Sequence, residues 1–116
     1  MKTEILVIDD NADIRFLICK ILKDNDYIVR SAANYEQAVK EINTKLPNLA
    51  IVDIKLDKGD KDGIDLLKLV MAKNKSLPVI MISGHANVQV AVEAIRIGAY
   101  EFVEKPFSSE KLLNYV

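Results

Sequence analysis

The residues best suited to chemistry in this sequence stand at the ends of short apolar runs. Asp9 and Asp10 follow the run 5–8, Asp53 follows 49–52, and Ser83 follows 79–82. Lys105 comes shortly after a fifth stretch, 100–103. A charge beside an apolar run is costly to desolvate unless a partner meets it. Three carboxylates brought together repel one another, and without a cation at least one is pushed toward its protonated form. A hard divalent ion relieves the repulsion, and oxygen ligands with retained waters suit Mg²⁺, with Mn²⁺ as a substitute. An ion held this way keeps positions open for a phosphoryl group. A lysine can pair with a carboxylate or phosphate oxygen as a point charge, and a serine hydroxyl can donate to another oxygen. The set suits a phosphoryl group held on, or next to, a carboxylate. Asp53 stands alone and is the nucleophile candidate, whereas Asp9 and Asp10 are paired as metal ligands.

These residues need elements to bring them together. The runs at 5–8, 28–32, 49–52, 79–82 and 100–103 are rich in Val and Ile and read as strands buried on both faces. Amphipathic stretches lie between them. Ile14, Leu17, Ile18, Ile21 and Leu22 form the stripe of a first helix; Ala38, Val39, Ile42 and Leu46 form a second. Ile64, Leu67, Val70 and Met71 form a third, and Val88, Ala91, Val92 and Ile95 a fourth. A fifth begins near Ser108 and carries Leu112 and Leu113; it is short, which predicts a domain cut from a longer protein. Asn34 with Gln37 reads as a capping pair, Gly98 as a helix terminator, and Pro78 as the mouth of the fourth strand. Strict alternation of strands and helices implies βα units, a parallel sheet and an α/β doubly wound fold. In such sheets ligands bind outside the carboxyl ends of the strands, where the acids, the serine and the lysine arrive.

Composition narrows the function further. The chain has 116 residues, one domain's worth, with 16 Lys plus Arg against 17 Asp plus Glu. A net charge of -1 supplies no basic field, so direct nucleic-acid binding by this segment is not expected. No apolar run approaches the roughly 20 residues of a membrane-spanning helix, and the N-terminus does not read as a signal peptide. The single cysteine, Cys19, precludes an internal disulfide and fits a reducing, cytoplasmic setting; it is read as packing. One Cys and one His, His85, do not make a zinc site. The acidic loop with Asp57, Asp60 and Asp62 is no EF-hand, since that register puts Lys58 and Leu69 at the first and last ligand positions.

Asp9-Asp10, Asp53, Ser83 and Lys105-Pro106, in this order and at these run ends, resemble the receiver domain of bacterial two-component response regulators. The resemblance covers essentially the whole chain, residues 1–116. It implies a flavodoxin-like (βα)5 three-layer sandwich, CheY-like, with parallel sheet order 2-1-3-4-5. It implies that Asp53 accepts a phosphoryl group from a sensor histidine kinase. Asp10 would bind Mg²⁺ directly, Asp9 partly through water, Asp53 as a third acid, and the Lys55 carbonyl would complete the shell. Ser83 would bond a phosphoryl oxygen, Lys105 would pair with the phosphate, and the Lys105-Pro106 bond would be cis. Phe102 matches the aromatic that rotates when Ser83 moves. The fourth helix, fifth strand and fifth helix would form the switched face, with homodimerisation through it. Val90 and Ile97 lie off the fourth helix's stripe, either as ordinary exposed apolar residues or as part of that dimer surface. Such a domain is not an enzyme acting on an outside substrate; its phosphoryl transfer and autodephosphorylation are self-directed.

The stretches 81–87 and 98–107 resemble nitrogen-regulation receivers of the NtrC and especially NtrX type. Those are followed by an AAA+ ATPase and a DNA-binding domain, which would make the output transcriptional. The sequence departs from the family pattern in four places. Leu56-Asp57 replaces the usual Met-Pro, the loop 55–62 is about two residues longer, Ser83 replaces the commoner Thr, and Phe102 the frequent Tyr. His85 is read as a loop residue tuning water access together with Lys55. A competing reading is a degenerate receiver that only binds or dimerises; the intact acid, serine and lysine set opposes it. An Asp-nucleophile phosphatase is disfavoured because Lys55 stands where an Asp-x-Asp motif needs its second acid.

Overall fold

The structure is a computed structural model that describes residues 3–56, 62–84 and 88–116. Strands and helices alternate along the chain: β1 (Glu4–Ile8), α1 (Ala12–Asp24), β2 (Ile28–Ala32), α2 (Tyr35–Thr44), β3 (Leu49–Asp53). They continue as α3 (Gly63–Lys73), β4 (Val79–Ser83), α4 (Val88–Ile97), β5 (Glu101–Glu104) and α5 (Ser109–Tyr115). All four strand pairings are parallel and the sheet order is β2-β1-β3-β4-β5, the expected flavodoxin-like arrangement. The period of two along each inner strand divides the core. Leu6 and Ile8 of β1, Ala50 and Val52 of β3, and Val79 and Met81 of β4 pack against α2, α3 and α4. Their neighbours Ile5, Val7, Ile51, Ile80 and Ile82 pack with Ile18 and Leu22 of α1 and Leu112 of α5. Right-handed crossovers produce this segregation, because the chain steps one way from β1 to β2 and then the other way through β3, β4 and β5. The reversal opens a crevice at the carboxyl ends of β1 and β3.

Several expectations need correction. Burial on both faces holds for β1, β3 and β4, but β2 buries only Ala32 and β5 only Val103. Both are edge strands with one neighbour, so their outer halves face solvent. In α1 the inward residues are Ile18 and Leu22, while Leu17 is 48% exposed. α2 ends at Thr44, which leaves Leu46 beyond it and exposed. The largest correction is in α4. Its expected core stripe points outward, with Val88 79%, Val92 44% and Ile95 48% exposed. Ala94 is buried instead, and Val90 and Ile97, read as off the stripe, pack against the core. The helix carries two apolar stripes of the same period, and periodicity cannot say which one the sheet receives.

The helix ends follow local chemistry. Asn34 caps α2 by accepting from the Gln37 N–H at 2.8 Å, and the Gln37 side chain accepts from the Ala33 N–H at 2.8 Å. Gly98 ends α4 with φ of 137°, and a Cβ there would meet the Met71 Sδ at 2.6 Å. Among the described residues no helix is long and apolar enough to cross a membrane. The backbone conformation demands glycine at 98, whereas the flexible Met71 side chain can give way, so Gly98→Ala should cost about 1–3 kcal/mol through strain. Urea unfolding, read as a lower midpoint at unchanged slope, checks this.

Candidate functional site

Each site residue is delivered by the end of a strand. Asp9 follows β1 and is completely buried. Its Oδ1 accepts the Asn11 N–H at 2.9 Å, and the Asn11 side chain in turn caps α1 by accepting from the Asp13 and Ile14 N–H groups. The Arg15 guanidinium reaches back from α1 and donates to the Asp9 carbonyl at 2.8 Å. Asn11 therefore does the capping, and the two preceding acids are left for other work. Asp53 closes β3 at 5% exposure, and its Oδ1 accepts a long 3.4 Å bond from the Lys55 N–H. Ser83 closes β4 and is buried. Lys105 follows β5, tied to β4 by its N–H, which donates to the Ser83 carbonyl at 2.7 Å. The Lys105-Pro106 peptide is cis, as expected.

The Lys105 ammonium lies between the two buried acids, 3.1 Å from Asp9 Oδ2 and 3.3 Å from Asp53 Oδ2. It donates a hydrogen bond to Asp53. Its approach to Asp9 is close but misdirected, so Asp9 Oδ2 is buried with an ion-pair contact and no hydrogen bond. One carboxylate oxygen from each of Asp9, Asp10 and Asp53 lies within 4.8 Å of the others. Three carboxylates against one ammonium leave the cluster negative. A buried carboxylate oxygen that accepts no hydrogen bond, a half-buried Asp10 and an all-oxygen donor set fit a hard divalent cation such as Mg²⁺. A cavity of about 290 Å³ opens beside them, lined by Asp10, Asp53, Lys55, Ser83, Gly84 and Lys105 among others.

Burial, and next the neighbouring Asp9 carboxylate, push the Asp53 carboxyl up to about 6 against the opposing pull of Lys105. Burial acts to lower Lys105, but its contacts with Asp9 and Asp53 prevail and hold the ammonium above its ordinary value. The cluster thus keeps a charged lysine and a carboxylate that ionises reluctantly, which is the condition a bound cation would relieve.

The expected residues Asp9, Asp10, Asp53, Lys55, Ser83 and Lys105 converge here. Phe102 does not line the cavity; it sits on β5 opposite Met81, partly buried against the α2–α4 side of the core. His85, Asp57 and Asp60 lie outside the described residues. Asp62 caps α3 in a reciprocal box with Asp65, so this acid of the lengthened loop serves the helix. Cys19 packs on the α1–α5 side, where burial pushes its thiol up. Arg15 and Asn11 escaped the sequence reading. Their only signal is position, Asn11 directly after the acidic pair and Arg15 about one helical turn further on, and many polar residues share such positions.

Residues 5–116 match the response regulator receiver domain family. The chain is 42% identical over 113 residues to the nitrogen assimilation regulatory protein NtrX of Azorhizobium caulinodans, covering 97% of this chain and 25% of that protein. The crystal structure of the receiver domain of NtrX from Brucella abortus shares 44% identity and superposes with a TM-score of 0.90, covering 95% of this chain and 92% of that one. A response regulator from Burkholderia pseudomallei, whose structure has a phosphorylated aspartic acid, a calcium ion and citrate, shares 27% identity at a TM-score of 0.90, covering 98% and 66%. The chain spans about a quarter of the length of the NtrX relative.

The raised Asp53 carboxyl sets a pH dependence. Between 3.8 and about 6 the native state holds this proton more tightly than the unfolded chain, so its contribution to stability falls as pH rises through that window. Without metal, Asp53→Asn should remove this slope and gain at most about 3 kcal/mol at pH 7. The gain should shrink toward pH 4. Urea unfolding of both proteins across this range checks it.

Proposed function

This chain belongs to the response regulator receiver domain family, and from that premise we propose that Asp53 is the phosphoacceptor of an NtrX-type two-component switch. The carrying observation is the placement of Asp53: a buried carboxylate facing a cavity that Asp10, Ser83 and Lys105 also line. In the reaction an Asp53 oxygen attacks the phosphorus of a histidine kinase's phosphohistidine. The new O–P bond forms as the N–P bond breaks, and the electron pair returns to the imidazole nitrogen. Asp9, Asp10, Asp53 and the Lys55 carbonyl would hold Mg²⁺, which supplies charge neutralisation to the phosphoryl oxygens. Lys105 exchanges a carboxylate partner for a phosphoryl oxygen, and the Ser83 hydroxyl donates to another. Positioning and charge stabilisation carry such transfers, with no external base needed. Neutral pH lies above the Asp53 value of about 6, so the carboxylate form that the attack needs is populated. The phosphoryl group leaves by hydrolysis at the same site, so the chemistry remains self-directed.

The output side is read from α4. Its outward Val88, Val92 and Ile95, with the exposed Tyr100 before β5, form an apolar face suited to a second copy or to effector domains of a longer protein. Those domains would be an AAA+ ATPase and a DNA-binding module, as in the NtrC and NtrX types, giving control of transcription in the cytoplasm. Ser83 and Phe102 lie on the strands that connect the site to this face.

Intact-mass spectrometry after incubation with acetyl phosphate tests the reading. The expected result is a gain of one phosphoryl group that requires both Mg²⁺ and Asp53, and that Asp53→Asn abolishes while keeping the fold. No gain in folded, Mg²⁺-binding protein would mean a degenerate module that only binds. Lys105→Ala should still accept phosphate yet lose the coupled change at Phe102 and α4, read from amide NMR shifts, because the phosphate loses its counter-charge. An unaltered surface change in that variant would contradict the role given to Lys105.

A further inference from the structure

Gly63 is the first residue of α3 and lies directly against the peptide that follows Asp53. A Cβ built on it would stand 2.1 Å from the Asp53 carbonyl oxygen, and 2.9 Å from both the Asp53 carbonyl carbon and the Ile54 Cα. All three atoms are main chain, so no side-chain rotation makes room. Gly98 has a positive φ and Gly63 does not, so the requirement at 63 is one of space.

The contact is also bonded. The Gly63 N–H donates to the Ile54 carbonyl at 2.8 Å, while the Ile54 N–H donates to Ile82 of β4 at 2.9 Å. The Ile54 side chain is buried in the core. The peptide after Asp53 is thus gripped by β4 on one side and by the start of α3 on the other. Neither grip yields easily: α3 is anchored by the Asp62–Asp65 capping box and by buried Leu66 and Leu67. The gripped arc is short. It begins at Asp53, and its next N–H, that of Lys55, reaches back to the Asp53 carboxylate.

We propose that Gly63 is a positioning residue: its missing side chain lets α3 press on the Asp53–Ile54 peptide and so sets how the Asp53 carboxylate and the Lys55 main chain face the cavity. The inference rests on the reading of Asp53 as phosphoacceptor. A methyl group at 63 must part α3 from this peptide by about 1 Å to reach an allowed contact. A displacement of that size at a reacting group is enough to slow a reaction on the order of 100-fold.

The test compares wild type, Gly63→Ala and Ile42→Ala in the full chain. Ile42 is a buried core residue of α2 and serves as a comparator that loses stability without touching the site. Phosphoryl uptake from acetyl phosphate is timed by intact mass, and Mg²⁺ affinity is read by NMR titration, both where each protein is folded. Gly63→Ala should take up phosphate roughly 10–100-fold more slowly and bind Mg²⁺ more weakly, while Ile42→Ala keeps wild-type values. Wild-type rate and affinity in folded Gly63→Ala would overturn the inference and leave the phosphoacceptor reading intact. No uptake by wild type would instead overturn that reading, and the inference with it. Should Gly63→Ala not fold, the wild-type Gly63 amide decides. Its resonance should shift on Mg²⁺ saturation together with those of Asp53 and Lys55, and an unmoved Gly63 amide rejects the proposal.

Discussion

Two carboxylates, Asp9 and Asp53, are withdrawn from water by the sheet that brings them together, and a single ammonium stands between them. Desolvation of this kind is costly unless charges are paired and hydrogen-bonded. Here the pairing is incomplete. Lys105 makes one directed bond to Asp53 and an undirected contact to Asp9, and Asp10 adds a third negative charge at the rim. Burial first, and then the Asp9 charge, leave Asp53 reluctant to ionise. The incomplete pairing leaves the cluster receptive to one more positive charge and, once that charge is present, to an anion beside it.

The fold explains why the cluster can stay under tension without collapsing. β1 and β3 are the inner strands at which the direction of winding reverses, and both faces of each are packed by helices. Their ends have little freedom to move the acids apart. The first residues after each strand are held by short polar contacts: Asn11 and Arg15 at Asp9, and Gly63 at Ile54 just after Asp53. The edge of the sheet is different. β5 buries only Val103, yet it carries Phe102 and leads directly into Lys105, whose N–H bonds the Ser83 carbonyl of β4. α4, which packs on the same half of the sheet, keeps a broad apolar stripe in solvent. A rigid centre and a lightly packed edge are a sensible division between a site that must hold geometry and a surface that must respond.

Much of this was legible in the sequence. Val- and Ile-rich runs separated by amphipathic stretches identify five strands and five helices, because backbone period follows directly from local patterning. The same runs place Asp9, Asp10, Asp53, Ser83 and Lys105 at strand ends. Parallel winding then collects those ends at one edge of the sheet, so residue types and order alone point to a metal-assisted phosphoryl site. What sequence determined, then, was which elements form and which chemical groups they carry to that edge. Tertiary structure decided the rest. It chose Val90, Ala94 and Ile97 over Val88, Val92 and Ile95 as the inward side of α4, and exposed Leu17 on α1, because the phase of a stripe depends on what lies beneath it. It made β2 and β5 edges, since burial depends on neighbours far away in the chain. It gave Gly63 its place beside Asp53, because the room for a single methyl group is settled only when the start of a helix is set against the end of a strand. The Asn11 and Arg15 contacts with Asp9 are local, two and six residues away, but which polar side chain turns back on the acid is fixed only by the packed turn.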